Sequence, residues 1–208
     1  MKLVIFGATG GTGLELIKQA LELGNHVTAF GRNPAKLGLQ HEQLTVALGN
    51  IANASQVEQA IVGQDAVLSS LGPTPNSPKD AMTIGSANVI AAMLKCNVRR
   101  LIWQTGAGVQ MDGDAPSAIR TVMVTLMKLI SPSVLLDSTQ AIHNITTSGL
   151  DWTIVRVPRL KDGTKEGGIR ATFTPPGPTP ITRADIAAFM LGQLTDKTFI
   201  GKAPMIFN

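Results

Sequence analysis

The sequence predicts an α/β fold in which a doubly wound, parallel β-sheet carries helices on both faces. Three observations support this prediction. Short apolar segments alternate with amphipathic ones along most of the chain, which is the order that parallel pairing requires. The first apolar segment runs directly into a glycine cluster and then into a helical pattern. At 208 residues the chain is long enough for one sizeable core, so we expect a single domain over residues 1–208.

The opening segment KLVIFGATGGTGLELI, residues 2–17, predicts a buried strand, a tight turn and a helix. Its glycine spacing is G-x-x-G-x-x-G. Where such a turn binds a dinucleotide, the first glycine permits the turn, the second lets the backbone approach a pyrophosphate, and the third lets the helix pack on the strand. A purely structural glycine turn is the alternative. The predicted phosphate-binding residues are Gly7, Thr9, Gly10, Gly11, Thr12 and Gly13.

Further strands and helices follow in alternation. The remaining strands are predicted at residues 26–30, 44–48, 65–72, 99–106 and 151–158, and helices at 53–62 and 79–95. An apolar helical insertion is predicted around residues 112–133. Near the end of the chain a proline-rich loop leads into a helix that Thr182 caps, and we expect Arg183 and Asp185 to pair and to cap there.

Composition and charge narrow the class of partner. The formal net charge is +4 without a dense basic run, which favours an anionic small molecule over nucleic acid. The single cysteine, Cys96, excludes an internal disulfide and a zinc site built from a cysteine cluster, and we expect no metal. The chain opens on a strand, and its most apolar later stretch is interrupted by charges and proline. We therefore expect a cytoplasmic monomer that neither enters a membrane nor carries a signal peptide.

The end of the second strand favours NADPH over NADH. An NAD site places a carboxylate there for the ribose hydroxyls, whereas an NADP site places an arginine for the 2′-phosphate. The segment AFGRNPAKL has no acid, so Arg32 is the predicted phosphate ligand, with Asn33 and Lys36 assisting. An arginine on a solvated loop is the alternative. Asn50, after the third strand, is predicted either to contact the adenine or to turn the loop.

Five segments of the chain resemble the atypical short-chain dehydrogenases, and within them the flavin reductase and biliverdin reductase B group. The segments are GATGGTG, GRNPAKL, GQDAVLSSLG, ANVIAAM and SGLDWTIVRVP. The resemblance covers nearly the whole chain. It implies a Rossmann fold, NADPH as cofactor, and hydride transfer to a planar anionic acceptor, a flavin such as FMN or a linear tetrapyrrole such as biliverdin.

The chain departs from the pattern of these relatives in ways that bear on mechanism. Ordinary members use a Tyr-x-x-x-Lys pair to protonate the product, but this sequence contains no tyrosine. Gly106 stands where the resembled group carries a serine, and Arg159 stands where it carries a histidine. A flavin or tetrapyrrole ring needs no alkoxide protonation, so the missing tyrosine favours a reductase of such acceptors.

Strand ends at the carboxyl edge of the sheet supply the predicted pocket. We expect Leu71 and Gly72 to border the nicotinamide ribose, and Thr105 and Arg159 to be the catalytic residues, Arg159 by holding an acidic group of the acceptor. A surface role for Arg159 is the alternative. Two other functional classes stay open, a non-catalytic NADPH-binding sensor or regulatory protein and a scaffold protein that uses the fold for contact.

Overall fold

The computed structural model describes residues 1–33, 37–74, 77–111, 114, 121–122, 124–125, 131–175 and 179–208. Most of the apolar insertion predicted at 112–133, together with Lys36, lies outside these residues. The described strands are β1 Lys2–Phe6, β2 His26–Gly31, β3 Leu44–Leu48, β4 Ala66–Ser69, β5 Arg100–Gly106, β6 Asp151–Val157, β7 Arg159–Lys161, β8 Arg170–Thr172, β9 Pro180–Thr182 and β10 Met205–Phe207. The described helices are α1 Gly11–Glu22, α2 Ala54–Ile61, α3 Ala81–Lys95, α4 Pro132–Thr146 and α5 Arg183–Gly192.

The central sheet has the strand order β3-β2-β1-β4-β5-β6-β10-β8. Neighbouring strands from β3 to β10 pair in parallel, and only β8 runs antiparallel at the far edge. The order reverses between β1 and β4, the point at which doubly wound sheets bind their ligands at the carboxyl ends of the strands. The predicted doubly wound α/β fold is therefore confirmed. Four short strands, β7 to β10, were not predicted from the sequence, and of these β7 and β9 form a separate parallel pair.

Strand β1 runs through the middle of the core. Leu3 and Ile5 face the side covered by α1 and α5, while Val4 and Phe6 face the side covered by α2, α3 and α4. All four side chains are fully buried. An uninterrupted apolar run is what a strand covered on both faces requires, since every side chain then enters a core. The glycine loop after β1 is thereby fixed to a strand whose last four residues are fully buried.

The first turns of the helices are capped by side chains that are either adjacent in sequence or far away along the chain. The Asn53 side chain accepts a hydrogen bond from the backbone N–H of Gln56 at the start of α2. Thr182 Oγ1 accepts from the Asp185 N–H at the start of α5, which confirms the predicted cap. The Asp137 carboxylate on α4 accepts from the backbone N–H of Met82 at 2.9 Å, holding the first turn of α3 against α4.

The expected pairing of Arg183 with Asp185 was wrong. Arg183 Nε donates instead to Asp162 Oδ1 at 2.8 Å, and the Asp185 carboxylate points into the protein. The two side chains diverge because Asp185 is fully buried at the helix start, while Arg183 reaches back across the glycine loop. No helix among the described residues is both long enough and apolar enough to cross a membrane.

Candidate nucleotide and acceptor site

The glycine loop has the shape of a phosphate cradle. Gly7 has φ +79°, and a Cβ built on it would lie 2.8 Å from the backbone carbon of Ser70. A Cβ on Gly13 would overlap the carbonyl oxygen of Gly7, so α1 packs on the loop only with glycine there. Helix α1 begins after Gly10, which offers no side chain to cap the first amides. Those amides and the positive end of the helix dipole are therefore available to an anion.

An arginine that sequence analysis assigned to helix capping lies at this cradle. A Cβ built on Gly11 would lie 2.6 Å from both Cδ and Nε of Arg183, so the Arg183 side chain crosses directly over the start of α1. Its ion-pair partner Asp162 is 89% exposed, which keeps the guanidinium close to solvent. The loop thus combines free backbone amides with a fixed positive charge, which suits the pyrophosphate of a dinucleotide.

The residues predicted to read the adenosine end lie on the neighbouring strand ends. Arg32 and Asn33 follow β2 and are exposed. Thr9 approaches this strand end, because a Cβ on Gly31 would lie 3.4 Å from the Thr9 methyl group. Asn50 Oδ1 accepts from the Ala52 N–H at 3.1 Å, so this side chain turns the loop, and its amide nitrogen is left to donate to an adenine edge.

A cavity of about 270 Å³ opens at the carboxyl ends of β4, β5 and β6, next to the first turns of α3 and α4. It brings together three residues predicted for the site, Leu71, Gly72 and Thr105. The other described residues that line it are Pro73, Met82, Trp103, Gln104, Gly106, Gly108, Val109, Val134, Leu135, Ser138, Ala141, Val157 and Leu160.

The chemistry of the described lining is simple. None of those side chains carries an acid, an amine or an imidazole, and the polar groups come from Gln104, Thr105 and Ser138 together with the Trp103 indole. Arg159 is exposed on β7, and the next residue, Leu160, is the one that lines the cavity. Successive side chains of a strand point to opposite sides, which explains why Leu160 lines the cavity and the predicted Arg159 does not. The contact between Arg159 and an acceptor stays a prediction.

A larger cavity, about 500 Å³, lies beside the buried pair of Arg156 and Asp114 and shares no described lining residue with the first. Arg156 Nη1 lies 2.6 Å from Asp114 Oδ2, with exposed side-chain fractions of 0% and 3%. Arg156 also donates to the backbone carbonyls of Ala203 and Val109. The guanidinium is thus taken up by structural bonds, and the strand ends of β4 to β6 remain the better candidate site.

One buried carboxylate, Asp185, joins the start of α5 to the segment after β7 and to the end of the chain. It accepts hydrogen bonds from the Glu166 and Gly167 N–H groups at 3.0 and 2.9 Å, from Thr182 Oγ1 and from Asn208 Nδ2. Burial alone raises the pKa of a carboxyl, but these hydrogen bonds outweigh it and hold the pKa of Asp185 below its ordinary value. This role was not predicted from the sequence, because three of the four donors, Glu166, Gly167 and Asn208, lie 18 to 23 positions away in the chain.

No group of three or more His, Cys, Asp or Glu side chains in the described part of the chain is placed to hold a metal ion. The glycine cradle, the exposed arginines and the apolar cavity instead fit an organic dinucleotide with a second ligand beside it.

Comparison with known proteins agrees with that geometry. A family described as NAD(P)H-binding matches residues 7–197. The chain is 31% identical over 120 residues to cinnamoyl-CoA reductase 1 of Petunia hybrida, a match covering 52% of this chain and 36% of that protein. The match covers 34% of a second curated relative, the 3-beta-hydroxysteroid dehydrogenase of Mycolicibacterium neoaurum, so the chain spans about a third of the length of both.

Two solved structures share the fold over the whole chain. One is a short-chain dehydrogenase/reductase of Veillonella parvula in complex with NADP, with TM-score 0.79 and 21% identity, covering 100% of this chain and 94% of that one. The other is ChuY of Escherichia coli O157:H7, described as an anaerobillin reductase, with TM-score 0.82 and 22% identity, covering 100% and 97%. At these identities the likeness shows a common fold.

Proposed function

The chain belongs to the NAD(P)H-binding family, and from that premise we propose that it is an NADPH-dependent reductase of a planar, conjugated, anionic acceptor. The acceptor is a flavin such as FMN or a linear tetrapyrrole such as biliverdin. The observation that carries the proposal is the cavity at the carboxyl ends of β4, β5 and β6, whose described lining is largely apolar and has no ionisable side chain. Such a pocket suits a flat ring system better than a ketone or an alcohol.

We assign different residues of the chain to different parts of the NADPH molecule. The free amides at the start of α1 and the Arg183 guanidinium hold the pyrophosphate, and Arg32 holds the 2′-phosphate. Leu71 and Gly72 border the nicotinamide ribose. When bound, NADPH supplies the hydride.

We propose that the protein accelerates hydride transfer mainly by holding the acceptor in the correct position. Leu71, Met82 and Trp103 exclude water from the cavity and hold the acceptor flat. Thr105 orients it, and Arg159 at the neighbouring strand attracts its carboxylate or phosphate. The chain contains no tyrosine, so the proton that the reduced ring requires comes from water. The names of the two structural neighbours, an anaerobillin reductase and a short-chain dehydrogenase/reductase in complex with NADP, support the choice of a reductase and of this cofactor.

The test is the loss of NADPH absorbance with FMN, biliverdin and a simple ketone as separate acceptors. We expect turnover with FMN or biliverdin and none with the ketone. Tight NADPH binding without turnover would indicate a sensor, and no nucleotide binding would indicate a scaffold. Either result contradicts the proposal.

The matched control for this assay is Gly10→Val. A Cβ on Gly10 meets the protein only at the Gly7 carbonyl oxygen, 3.3 Å away, so we expect the variant to fold. Its side chain would fill the space that the pyrophosphate needs, and both NADPH binding and turnover should be lost. Normal binding by this variant would place the nucleotide elsewhere.

A further inference from the structure

Gly11 is a glycine that its own backbone does not require. It is the first residue of α1, and its φ does not lie in the left-handed region that favours glycine. Glycine is the poorest helix former after proline, so the helix itself gains nothing from it. The three atoms nearest to a Cβ built on Gly11 are Cδ, Nε and Cζ of Arg183, at 2.6, 2.6 and 3.5 Å. Within the protein, the absent side chain therefore makes room for Arg183.

The packing around Arg183 holds its side chain in that place. Gln19 Nε2 on α1 donates to the backbone carbonyl of Ala184 at 2.9 Å, which ties the start of α5 to α1. Asp162 and Arg183 directly follow the last paired residues of β7 and β9, and Arg183 Nε donates to Asp162 Oδ1 at 2.8 Å. This bond uses Nε alone. The terminal nitrogens Nη1 and Nη2 donate to no described residue and stay available to a ligand.

The charge of Arg183 lies where helix dipoles disfavour a cation. The residue begins α5 and its side chain crosses the start of α1, so the guanidinium is close to the positive ends of two helices. Such a place favours an anion. The carboxylate of Asp162 is 89% exposed, and a surface ion pair of that kind contributes little. A second anion beside the guanidinium, supplied by a ligand, explains why a cation is placed there.

We propose that Gly11 is a positioning residue, whose missing side chain lets the Arg183 guanidinium close over the pyrophosphate of the bound dinucleotide. The two phosphates are then held between the free amides at the start of α1 and the terminal nitrogens of Arg183. This inference rests on the proposed function and deepens it. It gives Gly11 a role different from that of Gly7 and Gly13, whose missing side chains make room for backbone atoms.

The test is a double-mutant cycle with Gly11→Ala, Arg183→Ala and the variant that carries both changes. Calorimetry measures the affinity of each protein for NADPH, and thermal unfolding without ligand measures the midpoint. The matched control is Gly192→Ala, the same change at an exposed glycine at the end of α5, where an added Cβ meets nothing within 4 Å.

We expect Gly11→Ala to bind NADPH about tenfold more weakly, because its methyl group pushes the guanidinium off the pyrophosphate and one charged contact is lost. Its unfolding midpoint should stay equal or rise, since a flexible side chain moves aside and alanine favours the helix. Arg183→Ala should also weaken binding about tenfold. The double variant should bind as Arg183→Ala does, because Gly11→Ala acts only through Arg183. Gly192→Ala should bind as the wild type does.

Three results would overturn the inference and leave the proposed reductase standing. The first is wild-type affinity in Gly11→Ala. The second is a further loss in the double variant equal to the loss in Gly11→Ala alone, which would mean that the new methyl group touches the nucleotide itself. The third is equal or tighter binding by Arg183→Ala, which would mean that the guanidinium does not hold the pyrophosphate. Failure of the wild-type protein to bind NADPH would overturn the proposed function and this inference together.

Discussion

The nucleotide end and the acceptor end of this molecule are held together in different ways. At the nucleotide end, Gly7, Gly10 and Gly13 lie within seven residues of one another and act through the space they leave. At the acceptor end, the contact that holds α3 against α4 joins Asp137 and Met82, which are 55 positions apart. The buried pair beside the second cavity, Arg156 and Asp114, is likewise separated by 42 positions. The glycine loop of the first end is encoded locally, while the second end depends on single polar residues that find their partners only in the folded chain.

The largest effect should come from adding one methyl group to the local motif. In Gly13→Ala the new Cβ would overlap the backbone oxygen of Gly7, and a backbone atom between a buried strand and a helix cannot move aside cheaply. We expect a loss of about 4 kcal/mol or more in the free energy of unfolding, measured by urea titration, despite alanine's better helix propensity. Gly10→Ala is the control, with a loss of about 1 kcal/mol or less. Equal effects would show that the two glycines do not differ in packing.

The next largest loss of stability should come from breaking the buried ion pair of Arg156 and Asp114. Asp114→Asn leaves the fully buried Arg156 guanidinium without a counter-charge, and we expect a loss of about 3–5 kcal/mol in the free energy of unfolding. The comparison variant is Asp162→Asn, which breaks the ion pair with Arg183 at an 89% exposed carboxylate and should cost less than about 1 kcal/mol. Urea titration of both variants measures the contrast. A small effect at Asp114 would mean that Arg156 is satisfied by backbone carbonyls alone.

A smaller, pH-dependent effect should appear at Asp185. Hydrogen bonds hold its pKa in the folded protein below the unfolded value, so the unfolded chain binds the extra proton first as pH falls. The stabilisation from Asp185 is therefore complete above about pH 4 and disappears as pH falls through the folded pKa. Asp185→Asn should lose about 1.5–3 kcal/mol at pH 7, because its amide cannot accept every hydrogen bond that the carboxylate does.

Unfolding titrations between neutral pH and pH 3 check this sign. The difference between wild type and Asp185→Asn should narrow as pH falls. A difference that stays constant with pH would show that ionisation of Asp185 contributes nothing to stability.

The same contrast explains how much could be predicted from the sequence. Strands β1 to β6, the glycine loop and the Thr182 cap were predicted because each depends on residues close together in the chain. Strands β7 to β10 have only three residues each, and they form through pairing with distant segments, as β10 does with β6 and β8. Three residues are too few for a periodic pattern to stand out.

The candidate site divides along the same line. Leu71, Gly72 and Thr105 could be assigned to one cavity because parallel strand ends meet at one edge of a sheet. Arg156 could also have been found, since a charge within the apolar run TIVRV must have a buried partner. Arg183 could not, because only the folded chain brings it over Gly11.

The smallest effect should come from Arg32→Ala at the nucleotide end. It separates the role of the glycine cradle, which binds either nucleotide, from the choice between NADPH and NADH. Arg32 is exposed after β2, where the sequence offers no acid for the ribose hydroxyls of NADH. We expect wild-type protein to bind NADPH at least about tenfold more tightly than NADH, worth about 1.4 kcal/mol from one charged contact with the 2′-phosphate. Arg32→Ala should remove that preference and leave NADH affinity nearly intact, because the glycine cradle is unchanged.

The control for this substitution is Arg170→Ala, which removes the same charge from an exposed position on β8, at the opposite edge of the sheet. Any loss that comes from net charge alone would appear in both variants, and would fade with added salt in both. Calorimetry measures the affinities of the wild-type protein, Arg32→Ala and Arg170→Ala for NADPH and for NADH, and each variant is compared with the wild type. Equal wild-type affinities for NADPH and NADH would contradict the assignment of Arg32. A preference that survives Arg32→Ala would move the 2′-phosphate contact to another cation, and the cradle of Gly7, Gly10 and Gly13 would then be the only part of the nucleotide site that its local sequence determines.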